Sequence, residues 1–582
     1  MERTPHGEAR HLPDSPALET LAALIEGRTG TLLSLGLILV LGALAILLPP
    51  FSLGGRVLDA SYAVVPPGGS VTNPDGAQIT FPGEAIARPI KARFASIPRL
   101  DLLEGTVSAE MLAAARALPP TLVIKSPVYL LSLKGGRPSQ TIWRLPIPDG
   151  AEPYSLLDLY QWDGSAWTWL PHRLDLQTRE IEVTWPGAPQ ALAIMQAQRT
   201  VSVISAETGS SASFAIEARE TLELVSPRLY LVNGDGTIGQ LFTMPPEAQG
   251  SGAALIPVLH NRQSDGVVRS DLVDNLLISE ATWRAHIDHV VSLVAGTPYD
   301  GIEIDYQNVD PALRPEFTTF IAELARRLHE QQKLLIVRTG APERVGIDRY
   351  DTGAYDWLAL GLAADEVRIP APFGPRVRVG DTVGELDVLL GWATGLVNRY
   401  KLALLLPVAS YELAGGEARA VPYAQALARL GELHLRSPDN VIEPDESAAF
   451  ELPLLREGAG LTLDPETKTY RFSYVDAAGQ GHTIWLENAV SLAEKLQIVS
   501  QYNIGGIALR DVAEADPRIW QSLAEYQRND LGVTQLQNRF AVVWRVQNDR
   551  GDQIAGEVRP ASDPTFVFQP PAQPGVFRVS AA

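Results

Sequence analysis

Residues 31–48, Thr31 through Leu48 (TLLSLGLILVLGALAILL), form an apolar run with no charged position. As a helix at about 1.5 Å per residue this run is about 27 Å long, enough to cross the hydrocarbon core of a bilayer. The leader before it carries acids, and Pro49-Pro50-Phe51 offers no small-x-small cleavage site, so the run predicts a single transmembrane helix and not a cleaved signal peptide. Arg28 and Arg56 flank it almost symmetrically, which leaves its orientation unset by charge. The expected topology, a disordered cytoplasmic tail at 1–30 with the bulk of the chain extracytoplasmic in the cell membrane, rests on the character of the domains beyond residue 55. Residues 55–197 alternate short apolar stretches with Pro, Gly and Asp turns. Strands are predicted at 70–72, 78–81, 126–133, 156–162, 181–185 and 191–195, with one helix at 109–117. That spacing predicts a β-sandwich.

From 198 to 530 the pattern changes to short continuous apolar runs separated by helical periodicity. Buried strands are predicted at 222–232, 255–259, 301–306, 334–337, 367–369, 402–408 and 504–509. Phe317, Phe320, Ile321, Leu324 and Leu328 make an i, i+3, i+4, i+7, i+11 stripe, with Glu316 near its start and Arg326-Arg327 near its end. Strand and helix alternating in this way predict a (β/α)8 TIM barrel, interrupted by a more polar insertion at 412–485 near the seventh strand. Residues 531–582, with strands at 540–547 and 565–568, predict a small C-terminal β appendage. The fold class is therefore multidomain, α/β plus β.

Composition narrows the chemistry. The formal charge of −20 over 582 residues argues against a nucleic-acid partner. The absence of cysteine excludes disulfides, thiolate metal sites and cysteine nucleophiles. His286 and His289 have i, i+3 spacing, but on the helix before the fourth strand they are expected to be surface histidines, not a metal pair. Asp271, Asp274 and Asp288 are expected to be solvated helix-face acids, and Gly234-Asp235-Gly236 a turn, since no Lys-Ser/Thr follows it. No metal or cofactor is expected. Trp162, Trp167 and Trp169 read as packing residues.

The stretch Tyr299-Asp300-Gly301-Ile302-Glu303-Ile304-Asp305-Tyr306-Gln307 resembles the fourth-strand signature of glycoside hydrolase family 18, D-G-x-D-x-D-x-E. Further stretches match in order. Leu224-Val225-Ser226-Pro227 resembles the family's first strand, and Tyr355-Asp356-Trp357 with Ala363-Ala364-Asp365 leads into the sixth. Trp485-Leu486-Glu487-Asn488-Ala489 leads toward Gly505-Gly506-Ile507-Ala508-Leu509, and Asp516-Pro517-Arg518-Ile519-Trp520 closes the barrel. The resemblance is to the chitinase-like, bacterial cell-wall and spore-germination branch. In the amino-terminal half, Gly68 to Val71, Ile79 to Ile86 and Leu159-Tyr160-Gln161-Trp162-Asp163-Gly164 resemble the sandwich domains of ankyrins and netrin receptors.

The resemblance implies substrate-assisted, retaining chemistry. The acetamido oxygen of an N-acetyl sugar attacks its own anomeric carbon while a protein acid protonates the leaving oxygen. Alternate residues of a strand share a face, so Glu303, Asp305 and Gln307 point together into the barrel, the last at its mouth. Gln307 stands where the family has its acid, and an amide has no proton to deliver near neutral pH. Arg510 stands where the eighth strand ordinarily ends in a sugar-flooring Trp. Arg368-Ile369-Pro370-Ala371-Pro372-Phe373 retains neither the Tyr nor the Asp of the sixth-strand Met-x-Tyr-Asp run. The motif Asp300, Glu303, Asp305, Gln307 is therefore expected to be catalytically degenerate. Tyr306, Gln307, Asp305, Trp485 and Arg510 are the glycan-binding candidates, with peptidoglycan- or chitin-like polymers as ligand. Two alternatives stand beside this: an active or altered family-18 glycosidase using an acid from another loop, such as Glu412, and an envelope scaffold that binds no sugar.

Overall fold

The computed structural model describes residue 40 and residues 61–582, apart from 210–215, 245–251, 348, 373–383, 431–433, 436–445, 453–460, 465–467, 477, 530–540, 561–562, 564, 573–574 and 582. The predicted span at 31–48 lies outside the described residues save for position 40, and the tail at 1–30 lies outside them entirely. Among the described residues no helix is long and apolar enough to cross a membrane. The chain divides into two compact units: Met1–Ile97, Val128–Leu145 and Thr184–Ala191 in one, and Pro98–Pro127, Pro146–Val183 and Leu192–Ala582 in the other.

In the first unit, Ala63–Val65, Ile90–Ile97 and Val128–Lys134 form an antiparallel ladder. Ser70–Thr72, Gln78–Thr80 and Gln140–Pro146 form another. The strand Gln140–Pro146 buries every second residue, the period of a half-buried strand, and its Trp143 meets Phe94 edge-on at 5.6 Å.

In the second unit, Leu122–Ile124, Leu157–Trp162, Trp167–Leu170 and Ala191–Ala197 pair antiparallel. Trp162 and Trp167 pack on each other at 5.6 Å, and Trp167 Nε1 donates to the Ala114 carbonyl of the helix Ala109–Arg116. These rings are packing residues.

Eight parallel strands close into a barrel in the same unit: Val203–Thr208, Leu224–Val232, Val258–His260, Gly301–Asp305, Leu334–Arg338, Glu366–Pro370, Leu402–Pro407 and Gly506–Arg510, the last pairing with the first. This corrects the strand count from sequence. Leu224–Val232 is the second strand, and the first is Val203–Thr208 (VISAET), whose polar residues conceal it. Inward-facing Ser205 and Glu207 break the apolar run that marks a buried strand. Gly301 is required by close approach, because a Cβ there meets the Leu334 carbonyl oxygen at 2.2 Å.

The helix Arg314–His329 buries the predicted stripe from Phe317 to Leu328 against the barrel. Between the seventh and eighth strands, Ser410–Ala414, Glu417–Val421, Thr462–Asp464, Thr469–Val475 and Gly481–Leu486 form a five-stranded antiparallel sheet, the predicted insertion. The carboxyl-terminal strands share a core with that insertion. Phe566–Phe568 pairs with Ala448–Glu451, and Trp544 stacks on Phe566 at 5.3 Å beside Phe450.

Candidate functional site

The barrel interior is layered. At its base Leu224, Ile256 and Ile336 form an apolar plug. Above it the inward positions turn charged. Arg368 Nη1 donates to Glu303 Oε2 at 2.7 Å and to Ser226 Oγ at 2.9 Å, and Arg368 Nε donates to Glu366 Oε1 at 2.6 Å. Arg368 and Glu303 are both fully buried. Gly506 makes room for this layer, since a Cβ there meets Ala403 Cβ at 2.9 Å and Glu366 Oε2 at 3.2 Å. One layer higher, Arg338 Nη1 bridges Glu207 Oε1 and Asp305 Oδ2, the latter at 3.2 Å. At the top, Gln307 Nε2 donates to Asp305 Oδ1 at 2.8 Å and to the Thr339 carbonyl at 3.3 Å.

Each group is held by its neighbours. Asn261, just past the third strand, accepts from Gln307 N and donates to Gln307 O, both at 2.9 Å, which pins the backbone at position 307. Burial alone raises Asp305, but Arg338, Arg228 and the Gln307 amide outweigh it and hold the carboxyl below its usual range. Glu303 behaves oppositely: burial lifts it to about 7 against the pull of Arg368. Arg368, disfavoured by burial, is held protonated by Glu303 and Glu366. The guanidinium keeps its charge, and burial holds the Glu303 proton above the usual carboxylate range. That proton lies two inward positions below Gln307, about 13 Å along the strand at about 3.3 Å per residue, and is walled off from solvent.

The structure brings Glu303, Asp305 and Gln307 onto one inward face, as the alternation of the strand demands. Asp300 sits at the base of the fourth strand, where its Oδ2 accepts from Leu255 N at 2.7 Å and staples adjacent strands. Arg510 ends the eighth strand, donating to Tyr411 Oη at 2.9 Å and to Asp511 at 3.0 Å. Tyr411 is the register partner of Trp485 across the inserted sheet, so the two rings share a face beside Arg510.

Three expectations are overturned. Tyr306 points away from the cleft: it is fully buried, packs on Phe320, and its hydroxyl meets His286 Nε2 at 2.6 Å. An odd step along the strand turns it toward the helices. His286 is correspondingly not a surface residue but fully buried, with Nδ1 2.6 Å from the Gly236 carbonyl. Only a protonated Nδ1 can meet a carbonyl, so Nε2 accepts from Tyr306. Glu412 is no spare acid. It lies on the face of the inserted sheet opposite Tyr411, tied by Tyr474, His482 and Arg419. Burial pulls it up, but those partners hold it at about 2.

Asp271 pairs with Arg269 and Asp288 with Arg327, while Asp274 accepts from Asp310 N. Gly236, at φ 79°, closes a turn whose Asn233 N donates to Thr237 O. Among the described residues no group of three or more His, Cys, Asp or Glu side chains is placed to hold a metal ion. Sequence reading missed Glu207, Arg228, Arg262 and Arg338. Their signal was a charged residue inside or just beyond an otherwise apolar strand.

No family model matches the chain. Over 260 residues it is 20% identical to the uncharacterized glycosylase YvbX of Bacillus subtilis (strain 168), a match covering 44% of this chain and 69% of that protein. The curated relatives that match it are named as glycosylases and as a cortical fragment-lytic enzyme, each over less than half of this chain. The chain is also 23% identical over 274 residues to the cortical fragment-lytic enzyme of the same organism, matching 44% of this chain but only 56% of that protein. Among solved structures, a chitinase from Chromobacterium violaceum superposes with a TM-score of 0.45 at 20% identity, covering 56% of this chain and 98% of that one. The spore cortex-lytic enzyme SleL of Bacillus megaterium gives 0.43 at 18% identity, covering 59% and 78%.

Proposed function

We propose that the barrel binds an N-acetylhexosamine polymer of peptidoglycan or chitin type and does not hydrolyse it. The observation that carries this reading is Gln307 at the acid position, its amide spent on an Asp305 that Arg338 keeps ionised. A positioned general acid contributes about 10²–10⁴ in rate, and among the described residues no carboxyl near Gln307 holds a deliverable proton. Glu303 is protonatable but sealed beneath Arg338, and Glu412 faces away. The glycosylase relatives support a glycan as ligand, and the half-buried Tyr411, whose register partner Trp485 is itself buried, supplies an aromatic ring beside the mouth. Trp485, Arg510, Gln307 and Asp305 are the residues assigned to the glycan; Tyr306 lies buried against His286 and Phe320 and takes no part.

The same reading anchors the chain in the membrane through residues 31–48, with the barrel extracytoplasmic, on the apolar run alone. Protease added to intact cells then trims everything beyond about residue 50; full protection overturns the topology.

The test of function is a calorimetric titration of the chain with chitotetraose beside a turnover assay on a fluorogenic chito-oligosaccharide. Binding without turnover is expected. Turnover by the unaltered chain overturns the reading in favour of an active glycosidase; absence of binding favours an envelope scaffold.

A further inference from the structure

We infer that Arg228, Arg262, Arg338 and Arg510 form a subsite at the barrel mouth that takes a carboxylate carried by the bound polymer, so that the ligand is an acidic N-acetylhexosamine chain; this rests on the glycan-binding reading above. The four guanidinium groups come from four different places in the sequence and converge on one end of the barrel. Arg228 lies in the second strand, Arg262 two residues beyond the third, Arg338 at the end of the fifth and Arg510 at the end of the eighth.

Their donors are unequally spent. Arg338 serves Glu207 and Asp305, and Arg510 serves Asp511 and Tyr411. Arg262 gives one hydrogen bond, from Nη1 to the Gly266 carbonyl at 2.8 Å, and among the described residues it has no carboxylate partner. The nearest carboxylate oxygen to Arg228, Glu207 Oε2, is 3.9 Å from its Nη1, beyond hydrogen-bond length. A guanidinium presents five N–H groups in a planar fork matched to a carboxylate. Two of the four therefore face the mouth with most of that capacity free.

The local charge runs the same way. Four guanidinium groups face three carboxylates, Glu207, Asp305 and Asp511, all already engaged from within the cluster. Arg262 is held below its usual range by burial first and then by the crowding of Arg228, Arg338 and Arg510, only partly relieved by Asp305. An anion placed among them removes that repulsion. On a chain of net charge −20 the mouth then gathers matched cations for an acidic polymer that the surrounding surface repels. Arg510 joins the two halves of the site, since its partner Tyr411 shares a face with Trp485. The half-buried Tyr411 ring, with Trp485 buried as its register partner, and a fork for an acid substituent lie side by side.

The experiment titrates the whole chain with three tetrasaccharides: neutral chitotetraose; hyaluronan tetrasaccharide, which carries uronate carboxylates; and alternating N-acetylglucosamine and N-acetylmuramic acid, which carries lactyl carboxylates. At least one acidic tetrasaccharide is expected to bind about 10-fold tighter than chitotetraose, with the preference shrinking as salt rises. Which acid wins identifies its source. In Arg262→Gln, a half-buried position in a hairpin beyond the third strand, the preference collapses to within about 2-fold while chitotetraose affinity holds. Equal affinity for neutral and acidic chains overturns this inference and leaves glycan binding standing. Failure of all three to bind overturns glycan binding, and this inference with it.

Discussion

Gln307 Nε2 donates to Asp305 Oδ1 at 2.8 Å on the inward face of the fourth strand. An amide in that place has no proton to deliver near neutral pH. Replacing Gln307 by Glu sets a second carboxyl against one that Arg338 holds ionised, and like-charge repulsion raises the newcomer into the range of a general acid. Gln307→Glu is expected to gain turnover of a fluorogenic chito-oligosaccharide of about 10²-fold over the unaltered chain. Adding Glu412→Gln leaves that gain intact, because Glu412 lies on the far face of the inserted sheet. Silence of Gln307→Glu locates the loss in the sixth and eighth strands as well.

Arg368 and Glu303 pair in the buried interior of the barrel, two inward positions below Gln307. Arg368→Met removes the counter-charge of buried Glu303, which then stays protonated over a wider range, and is expected to destabilise the chain in urea unfolding more at about pH 8 than at about pH 5. Glu303→Met/Arg368→Met recovers most of that loss, because two apolar side chains need no partner. Glu366 keeps its contact with water, being 17% exposed. A double variant no more stable than the single one shows that Arg368 acts through Ser226 or Glu366 instead.

Arg399 clips the segment 155–158 to the base of the seventh strand. Its Nε and Nη2 bind both oxygens of Asp158 at 2.6 and 2.9 Å, and Nη1 donates to the carbonyls of Tyr502 and Ser155. Both Arg399 and Asp158 are buried. Arg399→Lys cannot reproduce the fork and is expected to destabilise by about 2–3 kcal/mol, with hydrogen exchange rising first at 155–162. Unchanged exchange there refutes the clip.

Burial holds the His286 imidazole neutral, pushing it from 6.5 to about 4. An unfolded histidine takes up its proton near 6.5, so the contribution of His286 is fully present above that value and lost as pH falls toward 4. His286→Gln is expected to flatten that acid slope by on the order of 2 kcal/mol between pH 6.5 and 4, measured by urea unfolding. Glu303 has the opposite sign. It holds its proton up to about 7 where the unfolded carboxyl releases it near 4.5, so its contribution is greatest below 4.5 and lost as pH rises through 7. Glu303→Gln is expected to steepen the net rise of stability with pH across that window.

Most of the barrel was legible because its signals are local. Phe317 to Leu328 repeats with the pitch of a helix, and Gly301 to Asp305 alternates apolar and acidic positions as an inward-facing strand must. The first strand was not legible, because Ser205 and Glu207 face a polar interior and interrupt the apolar run. Tyr306 was misread since adjacency in a motif says nothing about face; the period of two turns it toward Phe320 and His286. His286 carried no sign of burial, because its partners, Gly236 and Tyr306, lie 50 and 20 residues away.

The sequence by itself determined the barrel, the insertion after the seventh strand, the amide just past the fourth strand and the arginine at the end of the eighth strand. Each follows from periodicity or from one motif read in place. Only the tertiary structure decided what surrounds that amide. Parallel strand pairing brings Glu207 to Arg338 across 131 residues, Ser226 to Arg368 across 142 and Glu303 to Arg368 across 65. A charge inside a strand reveals that it must be paired, because an unpaired buried charge is too costly to keep. It does not reveal the partner, which is set by the closure of the sheet.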